Sequence, residues 1–266
     1  MGNSLLFRFV VIAGVVAGYV GMVPGVSAQN NATKDPQAVA LINSCLTASG
    51  GNQALSAVQD FVASGTVTFY WDQPTQAPAV LKERGNQFRF DATLGSGTRS
   101  WAVNNGTGVL VNTDGSRTTF TQQTAYGLTN LSWPVLNLIG VLSDQYAAIS
   151  YVGLVSTDQG QLHQIHIQEA YPASIDPMGT MGTAQSKDYF IDPNSFVLVE
   201  TKDSQSSTGN PGPGYDHLVL FSNYTSVNGL MVPFSVTEFM GGQRASSLQL
   251  SNVSFNVGLT DADFQL

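Results

Sequence analysis

Reactive and metal-binding side chains are scarce in this sequence. Its 266 residues contain a single cysteine, Cys45, and three histidines. One thiol cannot form an intramolecular disulfide, so the packed core must stabilise the fold, and we interpret Cys45 as a small buried residue on a helix face. His163 and His166 would face opposite sides of a strand, and His217 is distant in sequence. We therefore predict no metal site and no cofactor.

Positive charge is also scarce. Ten lysine and arginine residues stand against eighteen acidic ones, which gives a formal net charge of −8 at pH 7. An acidic chain without a basic cluster is a poor ligand for nucleic acids and for anionic membrane surfaces, and we predict neither partner.

Catalytic signatures are missing as well. The sequence has no G-x-S-x-G elbow, no H-E-x-x-H, no P-loop and no strand followed by G-x-G-x-x-G. Five carboxylates could in principle pair across strands as a glycosidase requires, but we interpret them as solvated surface residues: Glu83, Asp91, Asp188, Asp192 and Glu200. The prediction is a protein that is not an enzyme.

The N-terminus has the order of a secretory signal. Arg8 precedes an apolar run from Phe9 to Val20, and small residues follow at Val26-Ser27-Ala28. This order predicts a signal peptide over residues 1–28 with cleavage after Ala28, although an uncleaved membrane anchor remains the alternative. Gln29 occupies the position where a lipid-anchored protein needs cysteine. We expect a periplasmic or secreted protein without a stable membrane anchor, with residues 29–266 as one domain.

The mature chain begins with helical patterns and continues with strands. Asp35 can cap a helix that starts at Pro36 and ends at Gly50-Gly51, and a short helical turn follows in NQALSAVQDF. From Phe61 the hydrophobic period changes to two. Hairpin turns are predicted at four dipeptides: Gly85-Asn86, Asn105-Gly106, Asp114-Gly115 and Asn228-Gly229.

One apolar helix is predicted to interrupt the strands. Residues 132–152, SWPVLNLIGVLSDQYAAISYV, begin at a capping Ser132 and are apolar on more than one face. Such a helix must be covered by a sheet, or it must help to enclose a ligand. Two segments rich in glycine, proline and serine, 172–186 and 204–214, are predicted to be mobile insertions.

Four pieces of the chain stand out in this order of parts: SGGNQALSAVQDFVASGTVTF, Ile191-Asp192-Pro193 leading into Phe196, Val227-Asn228-Gly229-Leu230, and a last strand ending near Asn256 and Leu259, with Phe264 close behind. With them the chain resembles the LolA/LppX-like superfamily of exported bacterial (lipo)protein carriers. The resemblance covers residues 36–266. It implies a mainly antiparallel β (α+β) fold, a strongly curved open half-barrel with helices covering its concave face.

The resemblance also implies a function. The space between sheet and helices in that family is apolar and accepts lipid or acyl chains, as in an envelope carrier or sensor. We expect a hydrophobic small molecule or lipid as ligand, and another envelope protein remains open as a partner. The expected cavity residues are Val67, Phe69, Trp71, Phe88, Phe90, Trp101, Val103, Leu138, Ile139 and Leu142.

Two other functions remain open. Trp71, Trp101 and Trp133 could form an exposed aromatic face that stacks on sugars, as in a carbohydrate-binding domain. A ligand-free interaction scaffold is the third possibility, with the two insertions as its contact loops. A one-residue error in strand register would invert the set of cavity residues.

Overall fold

The computed structural model describes residues 32–104, 106–120, 133–179, 182–183, 185–205 and 214–266. The predicted signal peptide, Ser132 and Asn105 lie outside these residues, as does most of the second predicted insertion. The chain from Asn31 onward forms one compact unit. Within the described part, no helix has the length and hydrophobicity that would be needed to cross a membrane.

Within the described ranges, thirteen antiparallel strands form one open sheet. Its spatial order is β6-β5-β4-β3-β2-β1-β13-β12-β11-β10-β9-β8-β7, so the first and last strands pair at the middle. The strands are β1 Phe61–Phe69, β2 Thr75–Arg84, β3 Gln87–Leu94, β4 Gly97–Asn104, β5 Thr107–Val111, β6 Arg117–Phe120, β7 Ala147–Thr157, β8 Gly160–Glu169, β9 Lys187–Ile191, β10 Leu198–Gln205, β11 Tyr215–Val227, β12 Leu230–Met240 and β13 Gln243–Phe255. The fold class predicted from the sequence, a curved and unclosed half-barrel, is confirmed.

The two edge strands are consecutive along the chain. β6 ends at Phe120 and β7 begins at Ala147, so the connection between them joins the two open edges of the sheet. The apolar helix α3, Val135–Ser143, lies in that connection. The strand order thus places a short apolar helix at the opening of the half-barrel.

The N-terminal helices follow the sequence prediction. Helix α1, Pro36–Ala48, begins after Asp35, whose carboxylate accepts the backbone N–H of Gln37 at 2.7 Å. The short helix α2 covers Asn52–Ser56. Cys45 is fully buried on α1, and burial raises the pKa of its thiol to about 12, as expected for an inert residue.

The predicted helix over residues 132–152 is wrong in its second half. Helix α3 ends at Ser143, and residues from Ala147 onward form β7. The Asp144 carboxylate accepts the backbone N–H of Tyr146 at 2.8 Å, which starts the turn into the strand. The β-branched Ile149 and Val152 then favour an extended chain.

Turn chemistry at the β11–β12 hairpin agrees with the sequence. Asn228 and Gly229 both adopt positive φ angles, of 52° and 85°, between Val227 and Leu230. This is the conformation for which an Asn-Gly pair is preferred in a two-residue hairpin loop. The predicted turns at Gly85-Asn86 and Asp114-Gly115 also join strands.

The helices pack on one face of the sheet, which we call the apolar face. Its residues alternate along each strand and join α1 and α3 in a single hydrophobic core. The C-terminal segment covers part of the opposite face, where Lys82 pairs with Asp263 at 2.9 Å. A 3₁₀ turn, Asp261–Phe264, buries Phe264 there.

The β1–β13 pair contains a position that only glycine fits. The register shifts next to Gly65, and a Cβ atom there would lie 2.0 Å from the carbonyl oxygen of Gln249. We expect Gly65→Ala to lower the free energy of unfolding by about 1–3 kcal/mol, because the clash is with backbone. Urea denaturation measures this change. Gly140→Ala is the control, since nothing lies within 4 Å of its Cβ on α3, and a similar loss there would refute the steric account.

Candidate functional site

Five of the predicted cavity residues meet on the apolar face. Val67, Phe69, Phe88, Phe90 and Val103 are each at most 3% exposed. The register aligns Phe90 with Leu81 of β2 on one side and with Trp101 of β4 on the other. Trp101 is half-buried and stacks on Phe90 with ring centroids 4.4 Å apart. These residues therefore share one face of the sheet, and their role in binding a ligand stays a prediction.

Trp71 lies apart from this group. It follows the end of β1 and is 58% exposed, with its ring stacked on Phe69 at 4.6 Å and Arg99 4.3 Å from its centroid. Trp133 is buried. The three tryptophans therefore do not form a row on an exposed face.

The predicted residues of α3 have two environments. Leu138 is fully buried, whereas Ile139 and Leu142 are half-buried. The Lys34 ammonium donates to the carbonyl of Leu142 at 2.7 Å, which fixes the C-terminal end of the helix. Its first residue follows Pro134, which provides no side-chain cap. The two ends of α3 are thus held differently.

A small apolar cavity lies between the middle of the sheet and Trp133. Its volume is about 20 Å³, close to the space of one water molecule. The lining residues come from four strands and from Trp133: Phe61, Ala63, Leu81, Val232, Pro233, Val236, Leu248, Leu250, Val253 and Phe255. The sequence analysis missed this position, although alternation in LMVPFSV and SLQLSNVSF carries a signal for it.

Two polar atoms beside this cavity have no hydrogen-bond partner. They are Glu83 Oε2 and Trp133 Nε1, on residues that are 8% and 5% exposed. Burial raises the pKa of Glu83 to about 8, so this side chain is mainly uncharged at neutral pH. An unpaired buried polar group costs free energy, which makes both atoms unusual in a hydrophobic core.

The interpretation of all five carboxylates as surface residues was wrong for two of them. Glu83 and Glu200 are 8% and 7% exposed. Asp91, Asp188 and Asp192 are partly exposed. Asp192 accepts the N–H of Ser195 at 2.7 Å, and this bond is the main reason that its pKa lies below the ordinary value.

A charged cluster occupies one end of the apolar face. His217 is 1% exposed; its Nδ1 lies 2.8 Å from Asp203 and its Nε2 lies 3.2 Å from Glu238. Lys187 pairs with Asp203 at 2.9 Å, and Ser246 donates to Glu238 at 3.0 Å. Burial lowers the pKa of His217, but the bonds to both carboxylates outweigh it and raise this pKa above its usual value. The cluster therefore holds a buried imidazole between two carboxylates, which favour its protonated form.

The histidines do not form a metal site. His163 contacts the hydroxyl of Tyr151 at 2.9 Å, whereas His166 contacts Asp188 at 2.9 Å. Over the described ranges of the chain, no three His, Cys, Asp or Glu residues are grouped in a way that could hold a metal ion.

A polar groove lies on the opposite face of β7–β11. It has a volume of about 600 Å³, and its walls include His166, Asp188, Glu200, Lys202 and Asp216. The groove is wide and lined by both acidic and basic groups, which distinguishes it from the apolar cavity. The sequence analysis did not anticipate it.

Comparison with known proteins gives matches at the level of structure alone. No protein-family profile and no curated protein matches the sequence. A LolA superfamily protein from Nitrosomonas europaea matches with a TM-score of 0.54 and 12% identity over 86% of this chain and 97% of that chain. A DUF1329 family protein from Desulfovibrio piger gives a TM-score of 0.48 at 8% identity over 86% of this chain and 97% of its own.

A putative outer membrane lipoprotein-sorting protein domain from Vibrio parahaemolyticus gives a TM-score of 0.47 at 10% identity, over 84% of this chain and 97% of its own. Of these three structures, the Nitrosomonas europaea protein supports a fold assignment. It agrees with the open antiparallel sheet and its helical cover, so this chain has a LolA-like fold.

Proposed function

We propose that this protein is an exported, non-catalytic binding protein that holds a hydrophobic ligand, a lipid or an acyl chain, between the apolar face and the helices. The observation that carries the proposal is the position of α3. An apolar helix lies in the connection between two open sheet edges, and its buried residues belong to the same hydrophobic core as those of the apolar face. A concave apolar surface with a few polar groups is a typical ligand site.

The exposure of α3 supports this proposal. Leu136, Ile139, Val141 and Leu142 are only half-buried, although all are large and apolar. A structural helix would be expected to bury such residues more completely. An acyl chain between α3 and the sheet would cover them, and its transfer from water would supply binding free energy of about 0.8 kcal/mol per methylene group.

Ligand entry requires α3 to move. A cavity of about 20 Å³ is far smaller than an acyl chain, so the helix must separate from the sheet before a ligand fits. The uncapped N-terminal end beside Trp133 is the end that we expect to open, because Lys34 anchors the other end. The lining residues of the small cavity then join the predicted set as contacts for the ligand.

The export part of this proposal comes from the sequence of residues 1–28, and an envelope carrier or sensor is the role that it suggests. Native mass spectrometry of protein purified from the exported fraction, followed by organic extraction, tests the whole proposal. A stoichiometric lipid or fatty acid is the expected result. A bare mass together with no binding of a fluorescent acyl probe would overturn it.

A charge on α3 should interfere with binding. We expect Ile139→Asp to weaken the affinity for a fluorescent acyl probe by at least about tenfold, because a carboxylate would have to be desolvated beside the chain. Asn137→Asp is the matched control, since Asn137 is exposed on the same helix. Fluorescence titration measures both affinities. Equal affinities in two folded variants would contradict the placement of α3 over the ligand.

A further inference from the structure

A row of residues crosses the apolar face beside the cavity. Glu83 of β2 is aligned with Phe88 of β3 on one side and with Phe61 of β1 on the other. Phe61 is aligned in turn with Phe255 of β13. The row therefore has one polar member among aromatic rings, and Phe61 and Phe255 both line the cavity.

Trp133 covers the far end of this row. Its ring lies 5.8 Å from that of Phe255, and the Phe255 and Phe61 rings lie 6.2 Å apart. Glu83 and Phe255 are two strands apart, which places their Cα atoms about 10 Å from each other. The two unpartnered polar groups thus lie on either side of the Phe61–Phe255 aromatic pair.

The charged residues around Glu83 are engaged elsewhere. Lys82 and Arg84, its neighbours on β2, face the opposite side of the sheet and pair with Asp263 and Asp261. Arg89 on β3 pairs with Asp91 at 2.9 Å. Immediately before β1, Asp60 accepts the N–H groups of Val257, Gly258 and Leu259. Burial is the only cause that shifts the pKa of Glu83, so its carboxyl is a neutral hydrogen-bonding group at pH 7.

We propose that Glu83 and Trp133 together bind the carbonyl oxygens of an uncharged acyl ester, and so select esterified lipids over pure hydrocarbon. A neutral carboxyl can donate its O–H, and the indole Nε1–H can only donate. Two donors without acceptors fit a ligand that brings acceptors and no donors of its own. A free fatty acid fits less well, because its carboxylate would have to lose its hydration in an apolar site. This inference rests on the proposed function and names its ligand class.

Displacement of an uncharged fluorophore, N-phenyl-1-naphthylamine, tests the inference. Methyl palmitate, sodium palmitate and heptadecane are the competitors, since their chains are similar in length. We expect methyl palmitate to bind about tenfold more tightly than heptadecane at pH 7, the factor that one hydrogen bond to its carbonyl supplies. Sodium palmitate should bind more weakly than the ester. Equal affinities for ester and hydrocarbon would overturn the inference.

Three variants make the test specific. Glu83→Met and Trp133→Phe keep the shape but remove a donor, and each should reduce the preference for the ester. Glu83→Gln keeps a donor and should retain the preference. Asp72→Asn, on an exposed loop, is the control that should match the wild type. An undiminished ester preference in Glu83→Met would also overturn the inference.

The pH dependence of the ester preference separates ligand binding by Glu83 from a purely structural role of this residue. The wild-type preference for the ester should decline as the pH rises through about 8, because Glu83 then ionises and can no longer donate. Glu83→Gln should show no such decline, and a parallel decline in both proteins would overturn the inference. If neither the fluorophore nor any competitor binds the wild type, the proposed function itself fails. If ester and hydrocarbon bind equally well, only the inference about Glu83 and Trp133 fails.

Discussion

Replacing His217 with leucine is expected to lower the free energy of unfolding by about 3–5 kcal/mol at pH 6, the cost of removing one partner from a buried ion pair. His217 lies between Asp203 and Glu238, at 2.8 Å and 3.2 Å, and its side chain is 2% exposed. The two carboxylates are 12% and 16% exposed. Without the imidazolium they would face each other in a poorly solvated region, so the β10–β12 end of the sheet should be the part that loosens.

The stability that His217 contributes is expected to decrease as the pH rises. The pKa of His217 is raised in the folded protein, so its stabilising contribution is complete below its unfolded value of about 6.5 and declines as the pH rises through the folded value. The difference in stability between wild type and His217→Leu should therefore be larger at pH 6 than at pH 9. Urea denaturation at both values measures it.

His166 provides the matched control. It contacts Asp188 at 2.9 Å, but its side chain is 36% exposed. A solvent-screened pair of this kind contributes about 0–1 kcal/mol, so His166→Leu should change the stability little. A loss of less than about 1 kcal/mol in His217→Leu would show that the cluster contributes no more than such a surface pair.

The parts of the fold that the sequence predicts are those with local causes. Asp35, Pro36 and Gly50-Gly51 specify α1 through capping and backbone conformation, and Asn228-Gly229 specifies a hairpin. The apolar alternation around Val67 and Phe90 identifies the buried face of β1 and β3. None of these inferences needs a partner that is distant in sequence.

The parts that sequence reasoning missed depend on distant partners. The AVLKERG segment suggests that Glu83 is solvated, because glutamate is usually exposed. Its burial follows from its alignment with Phe61 and Phe88, which only the sheet register reveals. The cavity is missed for the same reason, since β1 and β13 bring residues about 190 positions apart into contact. The end of α3 was misjudged because Tyr146 and Ile149 continue an apolar pattern after the helix has stopped.

Replacing Glu83 with glutamine should change how stability depends on pH. The pKa of Glu83 is raised from 4.5 to about 8 by burial. Below pH 4.5 the carboxyl is neutral in both the folded and the unfolded chain. Between pH 4.5 and 8 only the unfolded chain ionises, so the wild type loses stability as the pH rises, by about 1.4 kcal/mol per pH unit. Above pH 8 both states are ionised, and the loss stops growing.

The glutamine variant has no such titration, so its stability relative to wild type should increase between pH 4.5 and 8, by on the order of 4 kcal/mol. Urea denaturation of both proteins in the ligand-free state at pH 4.5, 6 and 8 measures the difference, in which the titration of all other groups cancels. Asp72→Asn, which removes an exposed carboxylate, is the control for the loss of one negative charge. A constant difference for Glu83→Gln would mean that the carboxyl is solvated or paired in the folded protein, and it would remove the electrostatic support for an ester-binding Glu83. An increasing difference would show that the fold keeps an unpaired carboxyl at a cost in stability, which a ligand carbonyl could offset.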